Sequence, residues 1–336
     1  MAKHDLTLAC VPTDRTRPIL DGTIEVPGLR LRHLPGEPED IFRRALRDQE
    51  FDITEMSMSS HITVTARGDP HYVAIPVFLS RAFRHSGIFM RKDRGIREPA
   101  DLAGKRIGIP EYQQTAILWI RGMLRDEHGI GVRDVEWFTG GVNEPLPGER
   151  IALTLPSGIK VIPIGPDRTL DQLLRGGEID AVISTRVPAC HDEPGSMVVR
   201  LFPDYRKVES EYFQRTGFFP IMHTLALRRR IADANPELPA VLFRAFAAAR
   251  DRAIAELGMV NAFRVTLPWP AAVLEETRAV LGMDFWPYGF RRCYDEVATM
   301  TRYAFEDGLT PRRVVPEELF HPSTYELVAN CYMLGG

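Results

Sequence analysis

Short apolar segments alternate with helix-like segments up to about residue 203 of this chain, and this alternation is the strongest constraint on its fold. Such alternation is typical of α/β proteins with mostly parallel sheets, and beyond this point the pattern becomes mainly helical. Residues 139–157 are rich in glycine and proline and have no clear period, so they predict a loop or hairpin excursion. The predicted strands are residues 6–11, 51–56, 72–78, 86–90, 105–109, 135–138, 159–164, 179–184 and 221–227. The predicted helices are residues 37–47, 113–128, 168–175, 205–214, 236–257, 271–281 and 289–306.

Length and charge narrow the classes of protein to which this chain can belong. Its 336 residues are enough for two domains, each with its own core. The 42 Lys and Arg residues against 45 Asp and Glu residues give a net charge of -3. This balance argues against the broad positive surface of a nucleic-acid-binding protein. We therefore expect a small-molecule ligand and no nucleic-acid partner.

Two further features of composition bear on location. The first apolar run, residues 6–11, is too short for a signal peptide, and no run approaches the ~18 apolar residues of a membrane span. Cys10, Cys190, Cys293 and Cys331 lie far apart without a Cys-x-x-Cys pair, which argues against both a zinc knuckle and a disulfide framework. We expect a soluble, cytoplasmic protein with no membrane partner.

A junction between a strand and a helix at residues 105–115 is a candidate anion site. The strand stops at Pro110, and a polar turn opens a helix near Gln113. The first four N–H groups of a helix have no partner within it, and the helix dipole places partial positive charge there. Gln114 and Thr115 can add side-chain donors at this point.

A second junction of the same kind follows the strand at residues 51–56. Ser57, Ser59 and Ser60 lie there, directly after Glu55. One serine would be an ordinary helix N-cap. Three serines within four residues, beside a glutamate at the strand end, indicate a hydroxyl-lined ligand site instead. Two helix N-termini of this kind suggest a ligand with two acidic groups.

Several strings of residues resemble known proteins. DLAGKRIGIP at 101–110 and LDQLLRGGEIDAVI at 170–183 resemble the type 2 periplasmic binding protein fold. Six more strings are similar to the 4,5-dihydroxyphthalate decarboxylase family, and this likeness spans nearly the whole chain. They are DRTR at 14–17, EMSMSS at 55–60, SRAFRHS at 80–86, EYQQT at 111–115, FPIMH at 219–223 and FWPYG at 285–289.

The resemblance implies an α/β fold of two lobes, with mixed, mostly parallel sheets and a helical C-terminal region. Residues 1–90 and 205–336 are expected to form lobe I, and residues 91–204 lobe II, with the ligand cleft between them. The implied reaction is the non-oxidative decarboxylation of 4,5-dihydroxyphthalate to 3,4-dihydroxybenzoate and CO2 in aromatic degradation. No organic cofactor and no metal site are expected. Whether a divalent metal assists at the catechol oxygens stays open, as does homo-oligomerisation.

An aromatic dicarboxylate requires cationic donors, and arginine binds carboxylates bidentately. Arg15 and Arg17 follow the first predicted strand, while Arg81 and Arg84 follow the strand that begins at residue 72. Most arginines lie on the surface. However, open α/β folds place ligands outside the carboxyl ends of their strands, so these four are candidates to bind substrate.

Removal of a carboxylate from a ring carbon requires a proton at that carbon, and histidine can deliver it near neutral pH. His85 and His223 each end a short motif beside a predicted strand, and His61 is a reserve candidate. A single histidine in such a position is more often structural than catalytic. The sequence leaves open which of these histidines is the proton donor. Glu55 or a histidine would be the base that accepts the hydroxyl proton.

Aromatic residues could form the walls around a flat ligand, although core packing is the default role for each. These residues are Phe83, Tyr112, Trp119, Phe219, Trp286 and Tyr288. The rival interpretation is a solute-binding or sensory protein that holds a small carboxylate without chemistry, and another small-molecule enzyme on the same scaffold is a further alternative. Binding without turnover would favour the first of these.

Overall fold

The computed structural model describes residues 4–68 and 70–329. The chain divides into two compact units. The first unit comprises the described residues of 1–81, 221–298 and 315–336, and the second comprises residues 82–220 and 299–314. The lobe boundaries predicted at residues 90 and 204, and the ligand cleft, stay predictions.

Eleven strands and ten α-helices make up the described part of the chain. The strands are β1 His4–Ala9, β2 Leu29–His33, β3 Ile53–Ser57, β4 Tyr72–Arg81, β5 Ile88–Arg91, β6 Arg106–Ile109, β7 Glu136–Thr139, β8 Lys160–Pro163, β9 Ala181–Ile183, β10 Val198–Arg200 and β11 Ile221–Arg228. The helices are α1 Arg17–Leu20, α2 Pro38–Arg43, α3 Met58–Ala66, α4 Thr115–His128, α5 Leu170–Gly176, α6 Tyr205–Thr216, α7 Arg229–Ala234, α8 Leu238–Leu257, α9 Pro270–Leu281 and α10 Tyr294–Glu306.

The first unit contains a five-stranded sheet in the order β2-β1-β3-β11-β4. β1 is parallel to β2 and β3, whereas β11 is antiparallel to both of its neighbours. β1, β3 and β4 therefore end at the same edge of the sheet, and β11 begins there. We call this the carboxyl-end edge of the first sheet. Ligands of open α/β folds lie outside such an edge.

The second unit contains a six-stranded sheet in the order β10-β5-β9-β6-β7-β8. The pairs β6–β9, β6–β7 and β7–β8 are parallel, and β5 is antiparallel to β9 and β10. The turn at residues 110–114 follows β6, and residues 85–87 precede β5. Both segments therefore lie at the carboxyl-end edge of this second sheet.

The fold class predicted from the sequence is confirmed, because both sheets are mixed and three of the five pairings in the second are parallel. All nine predicted strands are present within a few residues, and residues 140–157 contain no strand or helix. Two strands were missed: β2, an edge strand whose buried and exposed residues alternate, and β10, which has only three residues.

Two helices have bounds that differ from the predicted ones because of local turns in the chain. The helix predicted at 37–47 is α2 followed by a π-helical turn, Arg44–Asp48, which ends where Gln49 adopts a φ of +50°. The helix predicted from residue 289 begins at Tyr294, after a 3-10 turn.

Among the described residues no helix is both long and apolar enough to cross a membrane. Cys10, Cys190 and Cys293 are buried and unpaired, and Cys331 lies outside the described residues.

Close packing of α4 against α10 in the second unit depends on Gly122. A Cβ added at Gly122 would overlap Cδ2 of Tyr303. The Tyr303 ring is buried, and its hydroxyl donates to Asp126 Oδ2 at 2.8 Å, so the ring has little freedom to move aside.

We predict that Gly122→Ala destabilises the protein, although alanine is the better helix former. Helix propensity favours the variant by about 0.5–1 kcal/mol, whereas overpacking typically costs about 1–3 kcal/mol. The free energy of unfolding in urea should fall by about 1–2 kcal/mol. The matched control is Gly176→Ala in α5, where the new Cβ would meet only Glu178 Oε1 at 3.8 Å. A Gly122→Ala variant as stable as the control would contradict this packing.

Candidate active site

Glu55 and His223 form a hydrogen-bonded pair at the carboxyl-end edge of the first sheet. Nδ1 of His223 lies 2.6 Å from Oε1 of Glu55, and the backbone N–H of Val11 donates to Oε2 at 2.9 Å. Because an ionised carboxylate can only accept, Nδ1 carries the hydrogen of this bond. The other ring nitrogen, Nε2, is thus the atom that can exchange a proton with a ligand.

Strand pairing brings these two side chains together. Glu55 is opposite Leu225, and His223 is opposite Ser57, so Glu55 and His223 are diagonal neighbours on one face of the β3–β11 pair. Glu55 is 4% exposed, and the His223 side chain is 18% exposed. The Phe42 ring meets the imidazole edge-on, with centroids 4.8 Å apart. The pair is therefore shielded and oriented, yet the imidazole still reaches the surface.

The three serines predicted to line a ligand site lie at the start of α3. Ser57 is the N-cap residue, but its side chain makes no capping hydrogen bond. Ser60 Oγ donates to Ser57 Oγ at 3.2 Å, and the hydroxyls of Ser57 and Ser59 lie 3.4 Å apart. All three are buried. The hydroxyls form one cluster beside His223, and their contact with ligand stays a prediction.

Arg15 lies at the same edge. Its NH2 donates to the Leu79 carbonyl oxygen at 3.3 Å, and its NH1 donates to Asp14 Oδ1 at 2.7 Å. The guanidinium carbon is 4.0 Å from the centroid of the Trp286 ring. Nε is buried and has no hydrogen-bond partner among the residues that the structure describes. Arg15 therefore retains donors that an anionic ligand can use.

Arg17 is placed differently. It is exposed at the start of α1 and lines a small cavity with residues from the end of α8 and the segment that follows it, including Arg252 and Arg264. Nothing in this arrangement brings Arg17 to the Glu55–His223 pair. Its predicted contact with substrate stays a prediction.

Arg81 belongs to a buried ion pair, so its charge is already bound by the chain. Its NH1 donates to Glu296 Oε2 at 2.9 Å, and its NH2 donates to the Pro287 carbonyl oxygen at 3.0 Å and contacts Cys293 Sγ at 3.1 Å. The side chains of Arg81 and Glu296 are 1% and 8% exposed. Glu296 Oε1 also accepts from the N–H of Ile221, at the start of β11. Arg81 thus braces the strand that carries His223.

Arg84 and His85 lie in the second unit, close to Glu209. Nε of Arg84 has no hydrogen-bond partner among the described residues, and burial lowers the pKa of Arg84 to about 10 while the charge of Glu209 opposes that fall. Burial also lowers the pKa of His85 to about 4, and neither of its ring nitrogens has a described hydrogen-bond partner. At neutral pH Arg84 is therefore a buried cation near the charge of Glu209, and His85 is uncharged.

The turn predicted to bind an anion is occupied in part by the chain itself. α4 begins at Thr115 with Gln114 as its N-cap, two residues later than predicted. The N–H groups of Tyr112 and Gln113 both donate to the carboxylate of Glu149. Burial, with the nearby charge of Glu111, raises the pKa of Glu149 to about 7. Glu149 was missed because the sequence of 139–157 has no pattern that places any of its residues.

His61, the reserve candidate, lies in an environment that disfavours its charged form. It is buried in α3, and its Nε2 donates to the Leu319 carbonyl oxygen at 2.9 Å. Burial lowers the pKa of His61 to about 4. Among the described residues, no group of three or more His, Cys, Asp or Glu side chains is arranged to hold a metal ion.

Sequence comparison identifies relatives of this chain. It is 43% identical to a 4,5-dihydroxyphthalate decarboxylase of Comamonas testosteroni over 97% of this chain and 99% of that protein. The chain belongs to the 4,5-dihydroxyphthalate decarboxylase family. A second member, from Pseudomonas putida, is 41% identical over 65% of this chain and 84% of that protein. A family model described as NMT1/THI5 like matches residues 36–146. The resemblance found in the sequence is confirmed.

Solved structures support the same fold. The periplasmic aliphatic sulphonate binding protein SsuA of Escherichia coli matches with a TM-score of 0.51 and 13% identity, over 96% of this chain and 93% of that one. A Candida albicans protein described as having the generic periplasmic binding protein fold matches with a TM-score of 0.51 and 11% identity, over 96% of this chain and 98% of that one. At these identities the likeness concerns the fold alone.

We predict that Arg81→Met mainly destabilises the protein, because it leaves the buried Glu296 carboxylate without its cation. Breaking a buried ion pair typically costs about 3–5 kcal/mol. Urea unfolding of the variant should show a loss of this size. The matched control is Arg291→Met, which breaks a pair with Glu326 in which the side chains are 61% and 76% exposed. The control should leave the urea midpoint almost unchanged. Equal midpoints for both variants would contradict the structural role of Arg81.

We predict that stability falls below neutral pH in part through His61. Its folded pKa of about 4 lies below the ordinary value of 6.5, so the unfolded chain takes up the proton first as the pH falls. His61 contributes its full stabilisation above pH 6.5, and this contribution is lost as the pH falls from 6.5 to 4. The loss amounts to about 2 kcal/mol at pH 5. Between pH 7 and pH 5, the free energy of unfolding in urea should therefore fall by about 2 kcal/mol less in His61→Gln than in the wild type. Parallel losses would contradict a neutral, buried His61.

Proposed function

We propose that this protein catalyses the non-oxidative decarboxylation of 4,5-dihydroxyphthalate to 3,4-dihydroxybenzoate and CO2. Its membership of the 4,5-dihydroxyphthalate decarboxylase family supports the substrate. The observation that carries the chemistry is the Glu55–His223 pair, with 2.6 Å between Nδ1 and Oε1. It supplies a proton donor that is oriented by a buried carboxylate.

The proposed reaction replaces one carboxylate of the ring by a proton. The hydroxyl para to the departing carboxylate gives its proton to a base and pushes electron density into the ring. The ring carbon that bears this carboxylate then forms a bond to a proton. The carbon–carbon bond to the carboxylate breaks, its electron pair restores the aromatic ring, and the hydroxyl proton is returned. One proton is consumed for each CO2 released.

In this proposal Nε2 of His223 delivers the proton to the ring carbon. Glu55 fixes the orientation of the imidazole through the hydrogen bond between Nδ1 and Oε1. His85, neutral at pH 7 because burial lowers its pKa to about 4, is the less suitable donor. Of the two histidines between which the sequence left the choice open, we therefore propose His223 as the proton donor.

Arg15 is our candidate for the substrate carboxylate in the first unit, since its Nε has no described partner. The serine cluster at the start of α3 supplies hydroxyls at the same edge, and the N-terminus of α3 supplies partial positive charge. Arg81 is assigned to support of the strand instead. The predicted roles of Arg17, Arg84, Gln114 and Thr115 in binding, a cytoplasmic location, the absence of a cofactor and metal, and homo-oligomerisation all stay predictions.

The direct test is to incubate the purified protein with 4,5-dihydroxyphthalate, with and without EDTA, and to measure CO2 and 3,4-dihydroxybenzoate. We expect equal amounts of the two products at each time point. Tight binding of the substrate without either product would sink the proposal and favour a solute-binding or sensory protein. Loss of activity in EDTA that a divalent cation restores would show a metal requirement.

We predict that His223→Gln lowers kcat by about 10²–10⁴-fold, because a general acid typically contributes a factor of this size. The Kd for phthalate, which has both carboxylates and no hydroxyl, should stay within about twofold, since the imidazole acts on the ring carbon. Stopped assays for CO2 and calorimetric titration measure the two quantities. The control is His321→Gln, whose imidazole contacts Ser323 on the surface. Wild-type kcat in His223→Gln would remove this residue from the mechanism.

A further inference from the structure

The stack of Arg15 on Trp286 has features that packing alone does not require. The guanidinium carbon lies over the indole, 4.0 Å from the ring centroid, so the cation is in close contact with the ring. The Arg15 side chain is 17% exposed, which leaves part of it at the surface. Arginine is suited to such stacking because its planar cation is weakly hydrated.

Trp286 is itself held at two points. Its indole N–H donates to the carbonyl oxygen of Phe78 in β4 at 2.9 Å, and its own carbonyl oxygen accepts from NH1 of Arg250 in α8 at 3.1 Å. Phe78 and Arg250 are both fully buried. The indole therefore has a fixed orientation and provides a rigid platform for Arg15.

The chain uses only part of the donor capacity of Arg15. A guanidinium has five N–H donors, and Arg15 makes one bond to Asp14 and one to the Leu79 carbonyl oxygen. Nε is shielded from water and finds no partner within residues 4–68 and 70–329. With one face covered by the indole, the remaining donors lie in the guanidinium plane, where a carboxylate can accept two of them.

A second unused polar group lies near Arg15. The hydroxyl of Tyr288 is buried and has no hydrogen-bond partner in the described part of the chain. Burial raises the pKa of Tyr288 to about 12, and the positive charges of Arg15, Arg250 and Arg81 oppose that rise. A phenol and a guanidinium with unused donors in one region are what a site for a carboxylate would contain.

We propose that Trp286 is a positioning residue, which holds the Arg15 guanidinium in the orientation that binds a carboxylate of the substrate. This inference deepens the proposed function and rests on it for the identity of the substrate. It also revises one expectation from the sequence. Because Arg15 covers a face of the indole, that face of Trp286 is not a wall for the aromatic ring of the ligand.

The test compares Trp286→Leu and Trp286→Phe in both binding and turnover. Trp286→Leu should raise the Kd for phthalate and the KM for 4,5-dihydroxyphthalate by about tenfold, while kcat changes by less than about twofold. Trp286→Phe retains a ring face and should raise both by about threefold. Trp269→Leu is the matched control, because this indole is 73% exposed in the same unit, and its constants should equal those of the wild type.

A double-mutant cycle separates positioning from a general structural role. Once Arg15→Gln has removed the guanidinium, adding Trp286→Leu should change the Kd for phthalate by less than about twofold. An equal tenfold loss with and without Arg15 would overturn the inference, as would an unchanged Kd in Trp286→Leu. If the leucine variant does not fold by circular dichroism, the same cycle is run with Trp286→Phe.

The binding measurements also distinguish this inference from the proposed function. A wild-type protein that binds phthalate but releases no CO2 contradicts the decarboxylase proposal, and the cycle still decides the role of Trp286. A wild-type protein that binds neither phthalate nor 4,5-dihydroxyphthalate overturns the inference itself.

Discussion

The buried carboxylate of Glu55 is the constraint on which the first unit's candidate site depends. A buried charge is tolerated only when it is paired and hydrogen-bonded, and here each oxygen has its own partner. Oε2 accepts from Val11 after β1, and Oε1 contacts His223 in β11. One side chain in β3 thus joins three strands at their common edge. The orientation of the imidazole follows from this arrangement, and so does the proposal that Nε2 exchanges a proton with the ligand.

The second unit also binds one of its own carboxylates through backbone N–H groups, in this case at a turn. Its turn at 110–114 is bound by the chain's own charged groups: Glu149 accepts from two N–H groups, and Arg121 donates to the Tyr112 carbonyl oxygen at 2.7 Å. The N–H groups that made this turn a predicted anion site are therefore partly used. Since burial raises the pKa of Glu149 to about 7, its charge changes near neutral pH. An anion that approached these N–H groups would compete with a carboxylate that is partly protonated already.

Sequence patterns predicted where the residues of the candidate site lie better than they predicted the roles of those residues. The alternation of strands and helices placed Glu55, the serines and Arg15 at strand ends, where the structure has them. The same reasoning treated Arg81 and Arg84 alike, since both lie in one short motif. Tertiary contacts separate the two: Arg81 is paired with Glu296, 215 residues away, whereas Nε of Arg84 has no hydrogen-bond partner among the described residues. Likewise burial, which the sequence does not show, lowers the pKa of both His61 and His85 to about 4.

Charge balance connects the candidate site to the proposed reaction. At the carboxyl-end edge of the first sheet, Asp14 offsets part of the charge of Arg15, and Glu296 offsets the charge of Arg81. The remaining carboxylate, that of Glu55, lies beside His223. In the proposed reaction, a dianionic aromatic acid would bring two further negative charges to this edge. Each turnover would consume one proton and convert one carboxylate into neutral CO2, so one of these two charges would be lost. Arg15, whose Nε has no hydrogen-bond partner among the described residues, would then hold the carboxylate that stays on the ring.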